Sequence, residues 1–426
     1  MQLFIIDFNT RASIYGIGTY RKTFLKAISA HDDVEVFLVN VFDAANKLLK
    51  IQVNEQYTEI WIPLPETTWI SAFSDKNHAN KRKYCQRISD VLHRFIHPYT
   101  SPVVHFNHSN FSILANELKT RLQANIVFAV HSLNWYFQYE NEPAKFAASW
   151  KELEEPGNTI FKHCADPEEQ RMCDAADKII CLSERTYGFV QRVYQIDADK
   201  IIKIQNGLQV PVLHSDPIQL RPRYGLSPDT FVLLFAGRIA KSKGLDFMLK
   251  GVERFIATYP DRKIKMLMAG NGDYDPFMSN YKSLWQHIIW AGVLPREELN
   301  ELYQLSDVGI TLSLFEQCSY TAIEMMQFGL PVIYAKCSGL DEMFEDGTTG
   351  LGVTVEYGED FRMSEEQICQ HISLLYEQPA FRKALGARGR SAALINYNLS
   401  ARVADTKQVY QVLNEHYENR LYHTCA

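Results

Sequence analysis

The sequence predicts an α/β protein of two domains, each built on a doubly wound, parallel sheet. Three observations lead there. Short β-rich runs alternate with stretches of helical period from end to end. Many of the β-rich runs are continuously apolar, as in Phe231-Val232-Leu233-Leu234-Phe235, which suits parallel strands covered on both faces. The chain has 426 residues, too many for one ordinary core, and a proline-bearing stretch near its middle divides it almost evenly.

In order, the first half holds expected strands at 3–8, 34–42, 58–64, 103–107, 125–131, 178–183 and 201–205. The second holds 231–237, 263–269, 288–293, 308–314 and 331–335. Between them lie amphipathic helices: after Gly244, the residues Leu245, Met248, Leu249, Val252, Phe255 and Ile256 mark one face. The stretch Leu208–Asp229 carries Pro211, Pro217, Pro222 and Pro228, follows the turn dipeptide Asn206-Gly207 and has little periodicity, so it reads as a linker. The expected division is therefore 1–207, a linker 208–229, and 230–395. A last helical stripe runs through Val403, Thr406, Val409, Tyr410, Leu413, Tyr417 and Leu421.

Composition narrows the class. Lys plus Arg number 44 and Asp plus Glu 50, a net charge of −6, which argues against a general binder of nucleic acid. Hydrophobic residues at 46% exclude disorder as the main state. No apolar run approaches the ~18 residues of a membrane span. The chain opens directly on the apolar run Leu3-Phe4-Ile5-Ile6, with no basic leader. Its eight cysteines are sparse, Cys164, Cys173 and Cys181 lie nine and eight apart, and C-x-x-C is absent. The expectation is reduced thiols in a cytoplasmic protein without structural zinc.

Three segments have the makings of a site. Gly16-Ile17-Gly18 opens a helix after the first strand, where glycines permit close approach and a helix N-terminus favours an anion, although the third glycine of a dinucleotide fingerprint is missing. Gly237-Arg238 and Lys243-Gly244 place cations at the carboxyl end of a buried strand, where open α/β sheets bind ligands. In Glu316-Gln317-Cys318-Ser319-Tyr320-Thr321-Ala322-Ile323-Glu324, a helix can begin at Ser319–Thr321 with a carboxylate on either side. Each has a plainer reading: a tight turn, a solvated basic turn and two unrelated surface carboxylates.

In order and wording these motifs resemble the retaining glycosyltransferases of family 4, which have the GT-B architecture of two Rossmann-like domains facing a cleft. The resemblance spans nearly the whole chain and is strongest from Ala176 to Gly352. It includes Ala176-Asp177-Lys178-Ile179-Ile180-Cys181-Leu182-Ser183, Gln205-Asn206-Gly207, Gly237-Arg238 with Lys243-Gly244, Ala269-Gly270-Asn271-Gly272, Glu316-x7-Glu324 and Gly329-Leu330-Pro331-Val332. It implies that Gly16 and Gly18 approach the donor diphosphate and that Arg238 and Lys243 neutralise it. Glu316 would face the sugar hydroxyls and Glu324 the ribose. Ser319, Tyr320 and Thr321 would present amides to the phosphates, while Asn206 and Gly207 border the cleft. His131, ending a strand, corresponds to the family's cleft histidine beside the transferred sugar; Ser132 follows it where family members often have Asp. The family also implies that residues from about 396 to 426 cross back onto the first domain.

The resulting expectation is transfer of a hexosyl or N-acetylhexosaminyl group from a nucleotide-diphosphate sugar to a hydroxyl of a saccharide, lipid-linked or protein acceptor. A GT-B epimerase and a non-catalytic partner subunit are the rivals. Asp197-Ala198-Asp199 and Asp273-Tyr274-Asp275 match a metal-binding spacing, but both read as turn or capping residues, so no metal cofactor is expected. Lys76, Lys81, Arg82, Lys83, Arg87 and Arg94, within 76–94, form either a solvated helix face or a contact with anionic membrane at its inner face. Trp135, Tyr136, Phe137 and Tyr139 suit an acceptor platform or simple packing equally.

Overall fold

The computed structural model describes residues 1–8, 16–43, 47–64, 78–98, 100–212, 216–357 and 361–424. The chain forms two units. The first comprises Met1–Trp135, Glu155–Gly207 and Leu399–Ala426; the second comprises Tyr136–Glu154 and Leu208–Asn398.

The first unit holds an eight-stranded sheet: β1 Gln2–Phe8, β2 Glu35–Asp43, β3 Leu49–Gln52, β4 Tyr57–Pro63, β5 Val103–Phe106, β6 Asn125–Val130, β7 Lys178–Cys181 and β8 Ile201–Lys203. Its order is β3-β4-β2-β1-β5-β6-β7-β8. Neighbours pair in parallel except β3 with β4. Every residue of β1 and β5 is buried, which is why these strands are apolar apart from Gln2, Asp7 and His105. The helix Leu399–Thr424 completes this unit's core. Val403, Val409, Tyr410 and Leu413 join Leu3, Ile5, Phe24 and Leu25 in one cluster, each such side chain contributing ~1.5–3 kcal/mol of burial. Tyr417 and Leu421, the end of the expected stripe, have side chains outside the described residues.

The second unit holds β9 Phe231–Ala236, β10 Ile264–Ala269, β11 Ile288–Gly292, β12 Val308–Thr311, β13 Val332–Lys336, β14 Leu351–Tyr357 and β15 Phe361–Met363. Their order is β11-β10-β9-β12-β13-β14-β15. The helix Leu245–Thr258 buries Leu245, Met248, Leu249, Val252 and Phe255 completely, as its 3.6-residue period requires; Ile256, at the margin of the stripe, is only half-buried.

Three details differ from the expectation. The sheets are predominantly parallel but mixed, because three unexpected strands, β3, β14 and β15, add an antiparallel pair at one edge of each sheet. β3 is short and mostly exposed, so no buried face imposed a pattern on its sequence. The stretch Tyr136–Glu154 belongs with the second unit although the chain runs through it between strands of the first. Its aromatics explain this: Tyr136 stacks on Phe315 at 4.8 Å, Phe146 meets Phe361 at 5.4 Å and Trp150 stacks on Tyr357 at 4.3 Å. The stretch read as a linker is likewise built into the second unit. Buried Arg221 donates to Leu305 O, Thr230 O and Asp307 Oδ2, the last at 2.9 Å.

Candidate functional site

In the second sheet the chain runs outward from β9 to β10 and β11, then returns to place β12 on the other side of β9. Strand order therefore reverses between β9 and β12, and the carboxyl ends of the strands at such a point diverge to leave a crevice. Arg238 leaves β9 on the exposed side, and Lys243 follows in a short turn ended by Gly244. Gly244 has φ +68°, and a Cβ there would collide with Leu312 O, so only glycine lets the two strand ends approach so closely. Leu314 N–H donates to Ser242 O at 3.0 Å and locks the loops together. The result is Lys243 Nζ 2.5 Å from Glu316 Oε1, with both side chains largely shielded from water.

Glu316 is held from a third strand end. Its N–H donates to Ser338 Oγ at 2.9 Å, and its carbonyl accepts from Gly339 N–H at 2.7 Å. Ser338 adopts φ +46°, a left-handed conformation unfavourable for a side-chain-bearing residue and concentrated at functional sites. The helix Tyr320–Gln327 starts on Ser319, whose hydroxyl accepts from Ala322 N–H at 3.4 Å. Ser319 N–H donates to Met343 Sδ at 3.3 Å, so among the three amides assigned to phosphate this one is already engaged. Glu324, one turn along the helix, is buried. Its Oε1 accepts from Arg296 at 2.5 Å and its Oε2 from Tyr303 O–H at 2.6 Å. Burial, reinforced by this carboxylate, pushes the Tyr303 phenol well above its ordinary range.

The first sheet repeats the reversal between β1 and β5. Asp7 of β1 is buried and paired with Arg21, while His108 Nε2 stands 3.8 Å from its other oxygen. On the adjoining strand ends, His131 Nε2 and His105 Nε2 lie 2.9 and 3.1 Å from the same atom, Asn107 Oδ1. Tyr20 packs on His131 with ring centroids 4.5 Å apart. Burial pulls His131 down to about 3, with His105 and His108 adding like charge, and burial pulls both of those histidines down to about 4. All three imidazoles are therefore neutral at pH 7.

The sequence had singled out twelve residues for the site. The structure brings Arg238, Lys243, Glu316, Ser319, Tyr320, Thr321 and Glu324 to one end of the second sheet, while Gly16, Gly18, His131, Asn206 and Gly207 belong to the first unit. Gly16 and Gly18 lie in the helix Gly16–Ile28, and the residues leading into it, 9–15, lie outside the described residues. Gly207 has a packing reason of its own, since a Cβ would come within 2.8 Å of Leu399 Cα. Arg296, Tyr303, Ser338, His105, Asn107 and Tyr410 escaped sequence reasoning. His105 and Asn107 had one legible signal, their place at the end of a buried strand; the others meet the site only through tertiary contact.

Some surface expectations change. Lys81 is buried, its ammonium directed to Asn110 O at 3.4 Å, because its helix position faces the core. Of the basic stretch, Arg82, Lys83, Arg87 and Arg94 are exposed, and Lys76 lies outside the described residues. Trp135 and Tyr136 are buried, with Trp135 stacked on Phe189, so both are packing residues; the Phe137 side chain lies outside the described residues. Asp273 Oδ1 accepts from Asp275 N–H at 3.2 Å, a turn contact. Seven described cysteines are buried free thiols, and Cys425 lies outside the described residues. Among the described residues no helix is long and apolar enough to cross a membrane, and no three His, Cys, Asp or Glu side chains gather as a metal site.

Comparison with known proteins agrees with this fold. The family model described as Glycosyltransferase Family 4 matches residues 16–210, and that described as Glycosyl transferases group 1 matches 230–377. D-inositol 3-phosphate glycosyltransferase 2 of Catenulispora acidiphila is 27% identical over 193 residues, 43% of this chain and 45% of that protein. Alpha-D-kanosaminyltransferase of Streptomyces kanamyceticus is 23% identical over 260 residues, 58% of this chain and 65% of that one. The chain thus spans about half to two thirds of the length of these curated relatives. Among solved structures, sucrose-phosphate synthase from Thermosynechococcus elongatus superposes with a TM-score of 0.72 at 18% identity, covering 97% of this chain and 98% of its own. Anabaena Alr3699/HepE in complex with UDP and glucose gives 0.69 at 14% identity, covering 97% and 100%. By its sheets, its strand-end residues and the two family models, this chain belongs to the family 4, group 1 glycosyltransferases of GT-B fold.

Proposed function

We propose that the protein transfers a sugar from a nucleotide-diphosphate sugar to a hydroxyl acceptor with retention of anomeric configuration. The observation that carries the reading is the Lys243–Glu316 pair at the reversal point of the second sheet, with Arg238 on the same strand end. A cation beside a carboxylate suits a donor whose diphosphate is anionic and whose sugar offers hydroxyls. The description of the Anabaena neighbour as a complex with UDP and glucose supports a donor of this chemical class.

In the proposed reaction the bond between the anomeric carbon and the diphosphate oxygen breaks, and the diphosphate leaves with the electron pair. The acceptor oxygen bonds to the same face of that carbon, and its proton passes to the departing diphosphate. Arg238 and Lys243 stabilise the charge that develops on the leaving group, an electrostatic contribution on the order of 3–4 kcal/mol per group. Glu316 orients the sugar, Glu324 accepts from the ribose hydroxyls, and His131 meets the transferred sugar. The groups act by position and field, and neither glutamate is required as a covalent nucleophile.

The test is a thermal-shift and turnover screen with UDP-, GDP- and ADP-sugars, with and without EDTA. A donor that raises Tm and is consumed in the presence of EDTA is the expected result. Failure of every nucleotide sugar to bind would refute the proposal, and strict dependence on added Mg²⁺ would refute its metal-independent form.

A further inference from the structure

Three buried side chains connect the last helix to His131. Tyr410 Oη lies 2.8 Å from His105 Nδ1, His105 Nε2 lies 3.1 Å from Asn107 Oδ1, and that same oxygen lies 2.9 Å from His131 Nε2. Tyr410 and His105 are fully buried and Asn107 is 3% exposed. We propose that this relay makes Tyr410, His105 and Asn107 positioning residues that hold His131 as its Nε2–H tautomer, leaving Nδ1 as a hydrogen-bond acceptor for a substrate hydroxyl.

The direction follows from proton counting. The Tyr410 hydroxyl has His105 as its single hydrogen-bond partner among the described residues. A buried phenol must donate its proton, so His105 Nδ1 accepts and Nε2 carries the hydrogen. His105 Nε2–H then requires an acceptor, which turns the Asn107 carbonyl rather than its amino group towards the ring. Both lone pairs of that oxygen are thereby used: one accepts from His105 and the other from His131, whose Nε2 must also bear hydrogen. A shared oxygen allows the two rings only one common tautomer. His131 Nδ1 has no partner among the described residues, and it is the nitrogen left to a ligand.

The use made of Nδ1 rests on the proposed glycosyl transfer, whereas the tautomer does not, and the experiment separates them. In protein labelled with ¹⁵N-histidine, long-range ¹H–¹⁵N correlation spectra at about pH 8 distinguish the two neutral tautomers. Nε2–H is expected at both His105 and His131; Nδ1–H at His131 overturns the proposal, whatever the activity. Tyr410→Phe removes the obligatory donor and is expected to turn the single His131 signature into a mixture. Adding Asn107→Asp supplies an oxygen that only accepts and should restore the single Nε2–H form. An unchanged single form in Tyr410→Phe overturns the role of Tyr410. If that variant does not fold, the wild-type spectrum and the Asn107→Asp single variant, both expected as Nε2–H, still decide the matter. With an active donor in hand, Tyr410→Phe should lower kcat/KM about tenfold, the worth of one hydrogen bond, and the double variant should recover it. Restored tautomer without restored turnover would confine the relay to structure and overturn its functional part.

Discussion

Lys243 Nζ sits 2.5 Å from Glu316 Oε1 across the point where the second sheet reverses direction. The cation proposed for the diphosphate and the carboxylate proposed for the sugar thus orient each other through a charge-assisted contact. Arg238, on the same strand end, is exposed. The two cations should therefore respond differently to substitution.

Arg238→Ala is expected to leave Tm unchanged and to reduce kcat by about 10²–10³. Lys243→Met should lower both, because it strands a shielded carboxylate. The double variant Lys243→Met/Glu316→Gln should regain Tm without regaining turnover. Full activity in Arg238→Ala would remove the phosphate role.

Glu324 has a structural duty towards Tyr303 and a proposed one towards the ribose, and a single variant confounds them. Glu324→Ala should weaken nucleotide binding, but it also deprives buried Tyr303 O–H of its acceptor, which costs about 1–3 kcal/mol of stability. Tyr303→Phe supplies the control, since it keeps the carboxylate and its Arg296 partner. Calorimetric titration of nucleotide into both should show the larger loss of affinity in Glu324→Ala. Equal losses would count against ribose recognition.

Glu169 gives a pH signature away from the proposed chemistry. Burial raises its carboxyl from 4.5 to about 8, although Tyr194 O–H donates to it at 2.5 Å. The folded state therefore holds the proton more tightly than the unfolded chain. The resulting stability is fully present below pH 4.5 and is lost as pH rises to about 8, at a slope of up to ~1.4 kcal/mol per pH unit. Glu169→Gln keeps an acceptor for Tyr194 and cannot ionise. Urea unfolding from pH 5 to 8.5 should show the wild type losing stability relative to this variant by roughly a few kcal/mol; parallel curves would refute the assignment.

Gly207→Ala tests whether that glycine serves packing. The added methyl meets Leu399 Cα and the Arg402 side chain, so docking of the last helix should weaken by about 1–3 kcal/mol. Nucleotide affinity is expected to hold if Gly207 acts through the helix alone. A fall in affinity at unchanged Tm would instead favour a direct role.

Most strands were legible because a parallel strand buried on both faces has few residue types open to it; β1 and β9 show this plainly. β3 was not legible, since its exposed residues answer to no core. Candidate residues at strand ends were found for a related reason: a cation after Gly237 or a histidine after Val130 interrupts an apolar run. Their partners could not be found that way. Arg296 and Tyr303 reach Glu324 from another helix, and Tyr410 reaches His105 across 305 positions of sequence.

By itself the sequence determined the two-sheet α/β class, the family and the order of cations and carboxylates along the second half, because burial and turn chemistry act locally on residue type. Only the tertiary structure decided that Tyr136–Glu154 joins the second unit, that Lys81 is buried and Gly207 abuts a helix. It alone paired Lys243 with Glu316 and joined His131 to Tyr410 through one amide oxygen. Those outcomes depend on strand order and on which side chains share a desolvated space, and neither is written in the spacing of residues along the chain.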